Sequence, residues 1–193
     1  MDVYFYDQQD ISPGDIWKGF MKILRNYLAA LLAILFLNAA CSFEPEIDKG
    51  KFAPLKVAAQ EVKTSIAANE SYQQVTGRVQ QLSAGIEALK DKVPTQKEKE
   101  LLKAYSALLV NYQDGLVLWK SRLDFAFLNS VLKGRIYVGQ DVDPIVMKYR
   151  FPTESHLYKP TGQYWKSIPE DSIQIIWSCA DSQLKTIENI TNY

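Results

Sequence analysis

The stretch that decides the fold is residues 75–123, which read VTGRVQQLSAGIEALKDKVPTQKEKELLKAYSALLVNYQDGLVLWKSRL. In its first half, apolar residues recur at alternating steps of four and three, namely Val75, Val79, Leu82, Ile86, Leu89 and Val93. In its second half, leucines fall seven residues apart with aromatic residues between them, namely Leu102, Tyr105, Leu109, Tyr112, Leu116, Trp119 and Leu123. This spacing puts each set on one face of a helix and predicts two amphipathic helices that pack lengthwise.

A turn signal separates the two predicted helices. Pro94 cannot continue a helix, and Thr95 followed three residues later by Glu98 forms a capping box that starts the next helix. Because the connection is so short, the two helices become antiparallel neighbours. The register then predicts six facing pairs: Leu89–Leu102, Ile86–Tyr105, Leu82–Leu109, Val79–Tyr112, Val75–Leu116 and Tyr72–Trp119.

The segment before this hairpin carries another apolar stripe. From Pro54, which suits a first helical turn, apolar residues follow at helical spacing: Leu55, Ala59, Val62 and Ile66. Because this stripe lies about opposite the one that begins at Tyr72, we expect a kink or short break at residues 69–71. Ser71 and Gln74 form a second capping box there, and a continuous helix with a shifted face is the alternative.

The remaining pattern completes an expected helical domain, residues 54–193. The arms of the hairpin are 54–93 and 96–132, and residues 135–167 form an irregular, aromatic-rich segment because glycines and prolines interrupt every run. Within that segment, Pro144 after Asp143 can open a short helix through Tyr149. Residues 169–190 are a third helix whose apolar face contains Ile173, Ile176, Trp177, Ala180, Leu184 and Ile187. The predicted fold class is all-α: an antiparallel coiled helical hairpin covered by a third, C-terminal helix, like a three- or four-helix bundle.

The first 40 residues indicate export. Residues 21–40 run from a basic start through an apolar stretch to small residues, which is the order of a secretory signal peptide. The apolar stretch is shorter than the about 20 residues that cross a bilayer. Residues 1–20 are then an over-extended N-terminus, and the alternative is a cytoplasmic tail ahead of an uncleaved anchor.

The end of this segment, Asn-Ala-Ala-Cys at residues 38–41, resembles the lipobox of a bacterial lipoprotein precursor. In that class a cysteine after small residues receives a diacylglyceryl group and becomes the first mature residue. Cys41 matches the modified position, while Asn38 stands where the class usually has leucine. The resemblance implies a lipid anchor at Cys41 and a lipidated tether at residues 41–53. Because Ser42 follows the cysteine, it also implies a bacterial cell-envelope location at the periplasmic face of the outer membrane.

The sequence offers little chemistry. Its formal net charge of zero argues against nucleic acid as a partner, because nucleic-acid binding requires a basic face. His156 is the only histidine, and we expect it in a surface loop; the sequence therefore predicts no metal, no cofactor and no catalytic residue. An envelope hydrolase is the minor alternative to a non-enzyme. With Cys41 lipidated, Cys179 is a lone thiol, either half-buried or joining two copies in a homodimer.

Two surfaces are candidates for interaction. One is the charged tip of the hairpin, with Lys90, Lys92 and Lys97. The other is the aromatic segment, with Tyr158, Tyr164 and Trp165, because aromatic side chains on loops often form binding surfaces. The leading hypothesis is a non-catalytic protein-interaction or structural module with an envelope protein as its partner. The alternative is a periplasmic small-ligand or glycan binder that uses residues 137–165.

Overall fold

The structure, a computed structural model, describes residues 21, 46–126, 133–158 and 162–192. Its helices are α1 Lys49–Ala67, α2 Tyr72–Leu89, α3 Gln96–Phe125, α4 Asp143–Tyr149 and α5 Ser172–Asn192. Its strands are β1 Arg135–Tyr137, β2 Glu154–Tyr158 and β3 Gln163–Pro169. The chain is therefore mostly helical with a small sheet. Cys41, the rest of the predicted signal peptide after Met21, and the end of the predicted second arm at Leu132 lie outside the described residues.

The expected break at residues 69–71 is a complete reversal of the chain. Asn69 adopts the left-handed conformation (φ 52°), which asparagine tolerates better than most residues. Ser71 and Gln74 form the predicted capping box at the start of α2. Its backbone N–H···Oγ hydrogen bond, from Gln74 to Ser71, is 3.4 Å long.

Helices α1 and α2 consequently lie antiparallel against each other. Arg78 Nη1 of α2 lies 3.1 Å from Glu61 Oε2 of α1. A Cβ atom on Gly85 would lie only 2.7 Å from a Leu55 methyl group, so the two helices approach closely at this level. The expected single arm, residues 54–93, is therefore two helices. The reversal also explains the two opposed stripes, because each belongs to a helix running in its own direction.

Helix α3 begins where the capping signal predicts. Thr95 Oγ1 accepts a hydrogen bond from the backbone N–H of Glu98 at 3.1 Å. The rings of Tyr72 and Trp119 meet edge to face with centroids 5.7 Å apart, and this pair is one of those in the predicted register. Leu123 does not belong to the seam as predicted, because 42% of it is exposed.

Helix α3 has a second buried face that the seven-residue spacing does not reveal. It contains three fully buried leucines, Leu101, Leu108 and Leu118. Helix α5 packs antiparallel to α3: Gln183 Nε2 donates to Ala104 O at 3.3 Å, and Trp177 packs directly on Gly115. The apolar face predicted for α5 is buried throughout. Thus α3 contacts α2 and α5 at once.

The segment expected to be irregular, residues 135–167, instead contains three strands, while the short helix expected from Asp143 and Pro144 through Tyr149 forms as α4. The strands form one antiparallel sheet in the order β1-β3-β2. In β3, Ile168 pairs with Ile136 of β1, and both side chains are fully buried. Between β1 and β2, Pro144 lies in the first turn of α4, where a proline needs no hydrogen-bond acceptor. The expectation of an all-α fold is therefore corrected to a mostly helical fold with a sheet.

The long helices define two ends. The tether end contains residues 46–52, 90–98 and 190–191. A cavity of about 290 Å³ lies there, and its lining includes Ile47, Lys97, Glu100 and Ile190. There Lys51 Nζ lies 2.7 Å from Glu98 Oε1, linking the first turns of α1 and α3. The sheet end contains residues 66–72, 119–126, 133–138 and 169–173, together with β2 and β3. Because a helix rises 1.5 Å per residue, α3 separates the two ends by roughly 45 Å.

Gly115→Ala should destabilise the protein, because the new Cβ would lie 2.1 Å from the Trp177 ring. We expect the free energy of unfolding to fall by about 1–3 kcal/mol, as for other overpacked cores. Gly77→Ala is the matched control, since a Cβ atom at this helical position meets nothing within 4 Å. This substitution should raise the free energy of unfolding by about 0.5–1 kcal/mol. Urea unfolding of both variants measures the two changes. Equal stability of the two variants would contradict the packing of α5 on α3.

The Glu98 carboxyl should make the stability of the protein depend on pH. The pKa of Glu98 lies below its ordinary value of 4.5, chiefly because the carboxyl accepts a hydrogen bond from Lys51. Burial opposes this lowering, and the charge of Lys51 adds to it. Because the folded-state pKa is the lower one, this stabilisation is complete above pH 4.5 and is lost as pH falls through the folded-state pKa. The difference in unfolding free energy between the wild type and Glu98→Gln should therefore shrink on acidification. As the control, Glu87→Gln alters an exposed ion pair with Lys90 and should change stability little at any pH. An effect of Glu98→Gln that does not vary with pH would contradict the lowered pKa of Glu98.

Candidate functional site

The lysines predicted at the hairpin tip lie at the tether end. Lys90 Nζ lies 3.2 Å from Glu87 Oε1 on the same helix, and Lys92 is exposed. Lys97 lines the cavity at this end beside Ile47. These side chains are therefore at the opposite end of the long helices from the aromatic residues, and the two predicted interaction surfaces are not one site.

The aromatic residues predicted to act together do not converge. Tyr164 and Trp165 are neighbours in β3, so their side chains point to opposite faces of the sheet. Tyr164 is 75% exposed, whereas Trp165 is half-buried against His156, with ring centroids 4.4 Å apart. The side chain of Tyr158 lies outside the described part of the structure.

His156 is not in a loop as predicted, but in strand β2. Its Nε2 lies 2.8 Å from Ser167 Oγ of β3. The same Oγ accepts a hydrogen bond from Arg135 Nε of β1 at 3.0 Å. Arg135 Nη1 in turn lies 3.1 Å from Glu154 Oε1 of β2. This network therefore ties all three strands together on one face of the sheet.

The Ser167–His156 pair has the spacing of a nucleophile and its base. However, Ser167 has no exposed surface, and Arg135 already donates to its oxygen. This arrangement favours a structural role, since a buried hydroxyl that is fully hydrogen-bonded stabilises the sheet. Within the described residues, no group of three or more His, Cys, Asp or Glu side chains is arranged to hold a metal ion.

The backbone of the sheet reveals which groups of β2 are free. In an antiparallel ladder, successive residues direct their N–H and C=O groups to alternate sides. The N–H of Val138 donates to Lys166 O at 2.9 Å, and the N–H of Glu170 donates to Gly134 O at 2.9 Å. The even-numbered residues of β3 therefore bond toward β1, and its odd-numbered residues bond toward β2.

It follows that alternate residues of β2 leave the sheet edge open. Glu154 and His156 are the register partners of odd-numbered β3 residues, so their backbone groups bond inward. Ser155 and Leu157 must then direct their N–H and C=O groups outward. Within the described residues no third strand pairs with β2, and both residues are exposed. As far as the described residues go, strand β2 is thus an unpaired edge.

Large apolar side chains lie next to this edge. Leu157 of β2 pairs directly with Tyr164 of β3, and half of Leu157 and three quarters of Tyr164 are exposed. By the alternation of β3, Tyr164 shares its face with Ile168, which is fully buried. The face of the sheet that buries Ile168 in the core therefore also presents Leu157 and Tyr164, with the exposed pair Ser155 and Lys166 between them.

The sheet end also contains a groove that the sequence did not predict. Its volume is about 370 Å³, and its lining includes Trp119, Trp177, Ile66 and Ile173. These residues come from α3, α5 and α1, so no local pattern in the sequence could bring them together. The amphipathic periodicity of each helix indicated only that they face inward.

Cys179 is a half-buried free thiol on α5. The Tyr149 hydroxyl of α4 lies within hydrogen-bond distance of two acceptors of α3, Asn111 Oδ1 at 2.9 Å and Asp114 Oδ2 at 3.0 Å. Burial raises the pKa of Tyr149 above its ordinary value, and the Asp114 charge adds to this effect. These hydrogen bonds fix α4 to α3. They do not include the Cys179 thiol and do not form a reactive centre around it.

Comparison with known proteins returns no match: no family model, no curated protein and no solved structure matches this chain. In the part of the chain that the structure describes, none of the helices combines the length and the apolarity that a bilayer crossing requires.

Proposed function

We propose that this protein is a lipid-anchored helical lipoprotein of the bacterial cell envelope that acts as a non-catalytic protein-interaction module. The observation that carries the proposal is the separation of its two ends. The residues that follow the predicted tether enter α1 at the tether end, and the open edge of β2 lies at the sheet end. In this proposal the coiled hairpin of α2 and α3, covered by α5, is a rigid spacer.

The proposed anchor would place the tether end close to the membrane. Glu46 follows Cys41 by five residues, and five extended residues reach at most roughly 17 Å. The sheet end would then be displayed up to roughly 45 Å farther away, if the helices stand upright. Lys90, Lys92 and Lys97 would accordingly face the lipid surface, so we assign docking to the sheet end instead.

The proposed docking mode is strand addition. An extended segment of an envelope protein can bond to the outward N–H and C=O groups of Ser155 and Leu157, which supplies backbone affinity. The exposed side chains of Leu157 and Tyr164 then supply side-chain specificity, because alternate residues of an added strand lie on their face of the sheet. An exposed edge of this kind is a liability unless something covers it, and a partner strand would do so.

Ser155→Pro should abolish docking while it leaves the fold intact. Proline removes the outward N–H of residue 155 but no bond between β2 and β3, and prolines are tolerated at such edge positions. Ser155→Ala is the matched control, since it keeps the N–H. Affinity capture of the membrane-anchored protein, followed by binding measurements with the purified partner, should show roughly tenfold or greater weakening for the proline variant alone.

Circular dichroism must first show that both variants fold like the wild type. The proposal is refuted where Ser155→Pro binds the partner as well as Ser155→Ala does. Loss of the partner on Lys92→Glu, with binding by Ser155→Pro retained, would assign docking to the hairpin tip.

A further inference from the structure

A positive charge lies one strand inward from the open edge of β2. In the register of the sheet, Lys166 of β3 pairs with Ser155 of β2, and Tyr164 of β3 pairs with Leu157 of β2. Lys166 is exposed, and its side chain forms no ion pair or hydrogen bond with any other described residue. Only the small side chain of Ser155 separates this ammonium group from the edge.

The reach of Lys166 to an added strand follows from the geometry of the ladder. Because even-numbered residues of β3 bond toward β1, Ser155 and Lys166 form a non-hydrogen-bonded pair, whose Cα atoms lie about 4.5 Å apart. Ser155 directs its backbone groups outward, so a residue added opposite it forms a hydrogen-bonded pair with Cα atoms about 5.5 Å apart. An extended lysine and a carboxylate side chain together span this separation across the serine.

The opposite face of the edge makes no such demand. There the Glu154 carboxylate already has a cation, because its Oε1 lies 3.1 Å from Arg135 Nη1. His156, on the same face, stacks on Trp165 with ring centroids 4.4 Å apart. The charge that a docked strand can complement is therefore on the face that also presents Leu157.

Strand β2 itself lacks two common forms of edge protection. Edge strands are often blocked by a lysine or a proline within the strand, and β2, which reads ESHLY, contains neither. Lys166 lies in the central strand instead, where its charge does not prevent another strand from pairing with β2. Its charge can therefore select which strand pairs there.

We infer that the edge of β2 selects an extended segment of an envelope protein in which an apolar residue is followed, two positions later, by a glutamate. This inference rests on the proposed docking at β2 and specifies the chemistry of the docked strand. Antiparallel pairing is the more stable kind per residue, and it places the apolar residue opposite Leu157 and the glutamate opposite Ser155. Both side chains lie on one face, because residues two apart in a strand do.

Each of the two selected residues has a defined neighbour. The apolar residue extends the exposed cross-strand pair of Leu157 and Tyr164 by one side chain, and such pairs stabilise strand association. The glutamate reaches across Ser155 to Lys166. Glutamate is favoured over aspartate there, because aspartate is more strongly depleted in strands.

Selection from a library of displayed random segments tests the inference. The segments have about ten residues, enough to form a strand of usual length, and are selected on the immobilised full chain. Those that also bind the Ser155→Pro variant are discarded, because they bind elsewhere. The retained segments should carry glutamate two positions after an aromatic or aliphatic residue. A synthetic segment with glutamine in place of that glutamate should bind roughly two- to fivefold more weakly, as expected for an exposed ion pair.

Substitutions at Lys166 test the assigned contact. With Lys166→Gln, the glutamate and glutamine segments should bind equally well, and with Lys166→Glu the glutamine segment should bind more tightly. Lys56→Glu is the matched control, since it changes the charge by the same amount at an exposed position of α1 and should leave the preference for glutamate intact. Circular dichroism checks that each variant folds, and Lys166→Gln suffices if Lys166→Glu does not.

The outcomes separate this inference from the proposed docking. Retained segments that lack the glutamate, carry the two residues in reverse order, or still prefer glutamate with Lys166→Gln overturn the inference and leave docking at β2 standing. If every selected segment also binds Ser155→Pro, docking at β2 fails as well. Enrichment of no segment overturns the inference, and the binding of the captured envelope protein to Ser155→Pro then decides docking separately.

Discussion

The burial of α3 on two faces at once is the constraint on which the rest of the structure depends. One side carries Trp119, which meets Tyr72 of α2, and Tyr105, whose ring stacks on Phe52 of α1. Its Leu101 and Leu108 side is fully buried as well. Gly115 permits this arrangement, because only a residue without a side chain leaves room for Trp177. A helix held in this way cannot bend or rotate without opening both contacts, so it serves as a rigid axis.

The rigid axis gives the molecule two ends with different chemistry. At the tether end, the Lys51–Glu98 pair joins the first turn of α1 to that of α3. Lys51 belongs to the last residues of the predicted tether, 41–53, which are helical from Lys49 onward. At the sheet end, α1, α3 and α5 leave a groove between them, and β2 leaves an open edge. Both the groove and the open edge are therefore built where helices end, since the helix flanks are used for packing.

The sequence predicts the features that depend on local chemistry. Thr95 with Glu98 and Ser71 with Gln74 mark helix starts because the capping hydrogen bonds form within a few residues. The regular spacing of Ile173 to Ile187 marks the buried face of α5. The seven-residue leucine spacing, by contrast, predicts only one buried face of α3. Leu101, Leu108 and Leu118 lie on the other buried face, which this spacing does not indicate. A helix that packs on two sides contains two overlapping patterns.

What the sequence could not predict depends on long-range contacts. The break at Asn69 is visible locally, but a kink and a reversal have the same signals, and only the packing of α1 on α2 distinguishes them. Strands β1–β3 are short and mix polar with aromatic residues, so their pairing with each other decides their conformation. The groove needs residues from several distant elements.

The most direct measurement of the central claim, that the tether and the docking surface lie at opposite ends of a rigid axis, is depth relative to the membrane. In the lipidated full chain with Cys179→Ser, a fluorophore attached through Lys92→Cys or Tyr164→Cys is exposed to vesicles whose headgroups carry a quencher. The account predicts strong quenching at position 92 and none at position 164, while Cys41→Ser abolishes vesicle association. Equal quenching at both positions, or quenching at position 164 alone, would contradict it.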